Sequence, residues 1–349
     1  MYNTKTDKVR LIEYIKKYKR RDLFFDKHYG ARMMPIFAQA YIAVMCSHRH
    51  RPDLMMRWGM YFQDVTVPRE FDFMWPLHEM KRTQDTLFTS IEKDIGFGKV
   101  FVDDYHEKYK VFDKRASLEE DVVIDDLSNE ELVEHMLELI EASGKQGHRY
   151  VIDGLLGGAE HDWLVFYATK HLGREPSDEE MDILRTPTHR SFVNEYQFRL
   201  LEAAALRSGG ESIDTIVEDI VRDFYWVEHN YIKADPKTIQ DVRKEIEEIT
   251  NAEAKYEEEK CRIDRVIKEK NSLLDSLNAS PTLLAFVQFA DDAVFIQDCG
   301  KQAVLRLNHF LITYMFELAK RLRFDPELIF YVMFYELKDF IKNPDAFID

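Results

Sequence analysis

Residues 280–341 read SPTLLAFVQFADDAVFIQDCGKQAVLRLNHFLITYMFELAKRLRFDPELIFYVMFYELKDFI. The pattern predicts one long helix, a short loop and two short helices. Phe286, Phe289, Phe295, Ile296 and Leu305 leave the long helix apolar on most sides, yet Asp291, Asp292, Asp298 and Lys301 interrupt that surface. Asp298 and Lys301 stand three residues apart, so they share a face and would make each other's burial tolerable as an ion pair. The other reading of this group is a polar pocket that contacts a substrate or a partner domain.

Upstream, the break NASP at 278–281 separates this helix from another. Asp235 and Pro236 suit an N-cap and first turn, and apolar residues from Ile239 through Val242, Ile246 and Tyr256 to Leu277 keep alternating spacings of three and four. A continuous helix of that length measures roughly 60 Å. Glu253, Lys260 and Lys270 fall on seam positions that should be apolar, so the seam is weakened in its middle. So short a break folds the two helices back into an antiparallel hairpin over about residues 236–322, with a solvated tip that is either a bare arm or a partner-binding handle.

Further upstream the helices are punctuated. Ser128 precedes Glu131 at capping-box spacing, with Leu132, Met136, Leu139 and Ile140 on one face. A helix covers 162–172, Ser177 caps a short one to Leu184, Pro187 interrupts, and a helix from Ser191 is ended by Gly209 and Gly210. The N-terminal third is less regular: helices over 5–21 and 33–48 precede an aromatic and β-branched stretch from Met60 to Trp75, which suits a small sheet or ordered loops. The expected architecture is an all-α multi-helix array with a long antiparallel helical hairpin, divided into an N-terminal helical or irregular region at 1–115 and a helical domain at 116–349.

Composition points the same way. Among 349 residues there are only 13 glycines and 10 prolines, where average glycine usage would give about 24. The 45% hydrophobic content is enough for sizeable buried cores. A net charge of −16 and a pI near 5.3 oppose a nucleic-acid or anionic-membrane surface. The basic run from Lys5 to Arg21 carries an apolar stripe, so it reads as a docked helix with a solvated basic face or as a patch for an acidic partner. Cys46, Cys261 and Cys299 form no CxxC pair and fit neither a disulfide framework nor a zinc knuckle. With no signal-like N-terminus and no run of eighteen apolar residues, the expected location is cytoplasmic.

No complete catalytic constellation is visible, and no catalytic residue can be named. His-Glu-x-x-His is absent, and Gly157–Gly158 and Gly209–Gly210 lack the Lys-Ser/Thr sequel of a phosphate loop. Asp103 with His106, and Glu131, Glu134, His135 and Glu138, read as solvated faces, so no metal site is expected. GGAEHDW at 157–163 reads as a glycine turn before a helix, with a phosphate carrier at His161 as the weaker alternative. Trp226, Asn230 and Tyr231, beside Glu228 and His229, combine aromatic faces with polar heads and would line a pocket or belong to core. Arg32, with His28 and Tyr29, precedes an apolar helix and could hold an anion near its N-terminus.

Taken in order, LSNEELVEHMLELI (127–140), DILRTPTHRSFVNEYQFRLLEAAAL (182–206), DFYWVEHNYIKAD (223–235) and the segment from Ser280 resemble the all-helical part of the phosphoenolpyruvate-utilising enzymes. The family is that of phosphoenolpyruvate synthase (pyruvate, water dikinase), and the resemblance spans about residues 117–345. One departure is Met333, ahead of Glu336 and Leu337, where the family tends to place a capping threonine. The resemblance implies phosphate transfer between ATP, a histidine and pyruvate. It also implies an ATP-binding domain, a phosphohistidine carrier with a Gly-Gly…His-Ala motif and, in complete enzymes, a barrel, none of which is recognisable here.

The expected role is therefore a helical scaffold domain or subunit that positions ATP-binding and phosphohistidine domains carried on other chains. Alone it would be inactive and bind no cofactor, with ATP and Mg entering only through those partner domains. If part of an enzyme, it would belong to a phosphotransferase of the pyruvate, water dikinase type. One alternative is a stand-alone helical protein-interaction scaffold that uses the hairpin as an arm. The other is a small-molecule-binding enzyme with its site in the N-terminal third, around Arg32 and the aromatics from Trp58 to Trp75.

Overall fold

The computed structural model of the protein describes residues 23–26, 59–62, 71–146, 152, 163–229, 235–326, 328, 329, 332, 334 and 336–347, with the backbone alone at 23–26, 59–62, 71–76 and 79. It is an all-α multi-helix fold with a small antiparallel sheet near its start. Strands β1 (Leu23–Asp26), β2 (Gly59–Phe62) and β3 (Phe71–Pro76) pair in the order β1-β3-β2, with Phe24 opposite Trp75 and Met60 opposite Phe73. The aromatic stretch thus takes the sheet alternative. The helices expected over 5–21 and 33–48, and the basic face of the first of them, lie outside the described residues.

Helices α1 (Leu77–Lys93), α2 (Phe97–Glu120), α3 (Asn129–Gly144), α4 (Trp163–Leu172), α5 (Asp178–Arg185) and α6 (Phe192–Ser208) follow. The starts of α3, α5 and α6 sit where the sequence supplies side-chain acceptors for orphan N–H groups. Ser128 with Glu131, and Ser177 with Glu180, form capping boxes, and Ser191 caps α6. Each such cap stabilises by about 1 kcal/mol. Beyond the end of α6, Gly210 takes a φ of 82°, which a residue without a Cβ adopts at little cost.

After α7 (Asp214–Phe224), the helix expected over 236–277 is three: α8 (Ile239–Glu248), α9 (Ala252–Lys260) and α10 (Arg262–Ser276). Its start is not at Asp235 and Pro236. The Thr238 hydroxyl accepts from the Asp241 N–H at 3.2 Å, and the Asp241 carboxylate accepts from the Thr238 N–H at 2.9 Å, a reciprocal box that fixes the boundary. Ile249 is extended and Asn251 is left-handed at φ 55°, which ends α8. The charged seam positions offer no apolar stripe to hold one long helix against another. α8 and α9 pack on α6 instead, α10 packs on α5, and Lys270 Nζ of α10 lies 3.7 Å from Asp291 of α11 (Pro281–Leu322). The hairpin is therefore shorter than expected; Asp275, Ser276 and Asn278 at its turn are exposed, while Leu274 and Leu283 in the flanking helices are buried.

α11 runs 42 residues, roughly 63 Å. Ser280 Oγ accepts from the Leu283 N–H at 3.2 Å, and Pro281 fills the first position, where its missing N–H costs nothing. After it come α12 (Leu337–Phe340) and a 3-10 turn over Pro344–Phe347, while the boundary near Met333 lies outside the described residues.

The chain divides into two units, and the expected boundary at 115/116 falls inside α2. The first unit comprises Met1–Asp94, Asp121–His161 and Tyr314–Asp349. Met80, Leu87 and Ile91 of α1 and Leu132, Met136 and Leu139 of α3 are buried there, and Arg321 donates to the carbonyls of Ile124 (2.8 Å) and Leu127. The second unit comprises Ile95–Glu120 and Asp162–Thr313. One of its cores gathers Tyr196, Leu200, Val217, Ile220, Trp226 and Val242. An aromatic group joins α2, α4 and α11: Tyr167 stacks on Phe286 at 4.0 Å, and Phe101 meets Phe289 edge-on at 6.2 Å.

Candidate functional site

The polar chemistry of the second unit concentrates where the link between α5 and α6, residues 186–191, crosses α11. Pro187 keeps this link extended, leaving backbone N–H groups that need acceptors. Two carboxylates of α11 supply them. Asp291 accepts from the Thr188 N–H at 2.9 Å and from its hydroxyl, and it also faces Lys270, with both charged side chains 7% exposed. Asp298 accepts from the Phe192 N–H, the first residue of α6, at 2.7 Å.

Asp298 therefore does not form the ion pair expected with Lys301. A helix N-terminus presents a fixed N–H at the positive end of the dipole, whereas holding the exposed Lys301 in place would cost rotamer freedom. Burial raises the Asp298 carboxyl above its ordinary value, opposed by the Phe192 N–H and the nearby Lys301 charge.

The polar-pocket reading of the same pair has a geometric counterpart. A cleft of about 250 Å³ is lined by His189, Ser191, Asn194, Arg262, Asp298 and Lys301, among others. Arg262 and Asn194 also border a second hollow of about 330 Å³, which Phe198 and Glu259 share. Arg262 Nε donates to Glu259 at 2.7 Å, while its Nη2 is buried with no hydrogen-bond partner. The Arg190 guanidinium lies 3.9 Å from the centre of the Phe198 ring and also bonds Glu259. His189 packs edge-on to Phe295 at 4.9 Å, and burial, with the charges of Lys270 and Arg262, lowers its pKa.

A second network surrounds Arg306, which is 5% exposed and donates to Asp113 at 2.5 Å and to Glu120 at 2.8 Å. The Tyr225 hydroxyl donates to Glu120 at 3.4 Å, and the Tyr225 ring meets His309 edge-on at 4.7 Å. His309 in turn stacks on His229 at 5.0 Å with 5° between planes. A third hollow, about 410 Å³, is lined by Glu228, Asp235, Lys237, Asp241, Lys244 and Glu245, among others. There Lys237 is committed to Glu228, at 2.7 Å, and to Glu245.

Of the residues singled out from sequence, Asp298 and Lys301 come together in the first cleft, which His189, not singled out, also lines. Trp226 does not line a pocket: it is 1% exposed within the core, against Phe192 and Phe224. Arg32, Asn230 and Tyr231 lie outside the described residues, as do residues 157–162 of the GGAEHDW stretch. Trp163, which ends that stretch, opens α4 and packs on Phe286 and Phe289. His106 packs on Phe295 and Asp103 bonds Lys99, while His135 meets Tyr314. Among the described residues no group of three or more His, Cys, Asp or Glu is placed to hold a metal ion, and no helix is long and apolar enough to cross a membrane.

Arg262 and His309 escaped the sequence reading. His309 carried a signal, a polar Asn-His pair inside the apolar run LRLNHFLITYM, whereas Arg262 carried none, since it sat in what read as the middle of a charged helix. No family model and no curated protein matches the chain.

Proposed function

We propose that the protein is a helical scaffold in a phosphoenolpyruvate synthase-like phosphotransfer system, positioning ATP-binding and phosphohistidine domains of other chains. Phosphoryl transfer depends on alignment of donor, carrier and acceptor more than on covalent chemistry from the protein, so a chain that only positions has a place in it. The order of the segments that resemble this family supports the identity of the system. ATP and Mg would be held by the partner domains.

One observation carries the scaffold role. Among the described residues, the buried charged side chains Glu119, Lys237, Lys270, Asp291 and Arg306 are each ion-paired. Three of these sets join separate elements: Lys237 to α8, Lys270 of α10 to α11, and Arg306 of α11 to α2. Buried charge is costly unless paired, and here it is spent on fixing helices rather than on a reacting centre.

The test is a pull-down from native extract with the full chain as bait, the eluate being incubated with labelled ATP and assayed for acid-labile phosphohistidine. A recovered chain that takes up label on histidine is the expected result. An eluate without it, from a bait shown to be folded, overturns the phosphotransfer role and leaves the stand-alone interaction scaffold.

A further inference from the structure

We propose that the cleft between the start of α6, the start of α10 and the middle of α11 binds a small anion of carboxylate or phosphate type, with Arg262 and Lys301 as its cationic contacts. The two cations come from different helices and border one hollow of about 250 Å³, together with the side chains of Asn194 and Ser191. That convergence stands out on a chain of net charge −16, whose field otherwise repels anions.

The carboxylates at the cleft and in the hollow beside it are already committed. Asp298 is occupied by the Phe192 N–H, and Glu259 accepts from Arg190 and from Arg262 Nε. This leaves the two cations unequal: Lys301 is exposed, whereas Arg262 is held by Glu259 through Nε. Among the described residues no ion pair involves Lys301, and Arg262 keeps an unmet buried donor at Nη2. A buried donor without an acceptor costs free energy, which is recovered if the guanidinium turns Nη2 toward an entering oxygen, and a planar guanidinium matches two oxygens of a carboxylate or phosphate.

The N-terminus of α6 is not itself the binding element. Its N–H groups at Phe192 and Asn194 are taken by Asp298 and Ser191, so selectivity falls to the side chains. Because Asp298 also borders the cleft, a ligand carrying a hydroxyl or amino group beside its anionic end would gain an acceptor there.

The full chain is titrated calorimetrically with inorganic phosphate and with malonate, using sodium chloride at matched ionic strength as the reference. Saturable binding of either probe is expected, weakened at least tenfold in Lys301→Gln. That variant should keep the ligand-free melting temperature, because the side chain is exposed. Lys244→Gln, in the separate acidic hollow, should bind as the unmodified protein does. Which probe binds decides between phosphate and carboxylate. Heats no larger than those of chloride, or unchanged affinity in Lys301→Gln, overturn the proposal. The scaffold reading is tested by the pull-down alone, so the two fail separately.

Discussion

His229 and His309 are stacked face to face at 5.0 Å, and none of His229 Nδ1, His229 Nε2 and His309 Nδ1 has a hydrogen bond of good geometry. Burial lowers the pKa of both rings, His309 to about 4, where the neighbouring imidazole adds its charge. The groups facing them are Tyr225, itself bonded to Glu120 and Arg306's network, and Asp235, whose charge draws the His229 pKa back upward. The unfolded chain takes up protons near the ordinary value of 6.5, before the folded one does, so stability is lost as pH falls through 6.5 toward 4. The slope is at most about 1.4 kcal/mol per pH unit for each ring. Burial raises Asp292 and Asp298, which act in the opposite sense as they protonate first in the folded state. The informative quantity is therefore the difference between proteins. Urea midpoints between pH 7.5 and 5 should fall less steeply for His309→Phe than for the unmodified chain, and parallel slopes would show that the pair titrates normally.

At the scale of elements, the turn between α8 and α9 depends on one residue in an unusual conformation. Asn251 holds φ at 55°, a region where asparagine is tolerated, glycine is unstrained and an ordinary L-residue pays about 1–2 kcal/mol. Asn251→Gly should leave the urea midpoint nearly unchanged, while Asn251→Ala should lower stability by about 1 kcal/mol. If alanine instead raises helicity without loss of stability, the chain prefers the continuous helix that its periodicity advertises. That periodicity explains what was legible. Caps at Ser128, Ser177 and Ser191 are decided within four residues and were visible in the sequence. The break at 249–251 was not, because the three-and-four spacing runs straight through it and reports a stripe without naming the helix that covers it. The site divides in the same way. Asp298 and Lys301 were visible as charges in an apolar run, but the acceptor role of Asp298 depends on Phe192, separated from it by 106 residues. Arg262 joins them from the first turn of α10, just after Cys261.

For the whole molecule, the decisive quantity is the net charge of −16, which favours expansion of the folded state through self-repulsion. Exposed pairs such as Lys81 with Asp85 and Lys99 with Asp103 oppose this only weakly, because solvent screens them. Pairs such as Arg306 with Asp113 and Lys270 with Asp291 include a nearly inaccessible cation, so solvent ions screen them less. Salt therefore acts mainly on the long-range repulsion. Raising sodium chloride from about 10 mM to about 100 mM shortens the Debye length from about 30 Å to about 10 Å, which removes repulsion between distant carboxylates but leaves contact pairs largely intact. The melting temperature should rise over that interval and then level off. Lowering the pH toward the pI near 5.3 removes the same repulsion by protonation, but at the expense of the histidine pair. A melting temperature that falls with salt would mean that the exposed pairs, rather than the buried ones, hold the helices together.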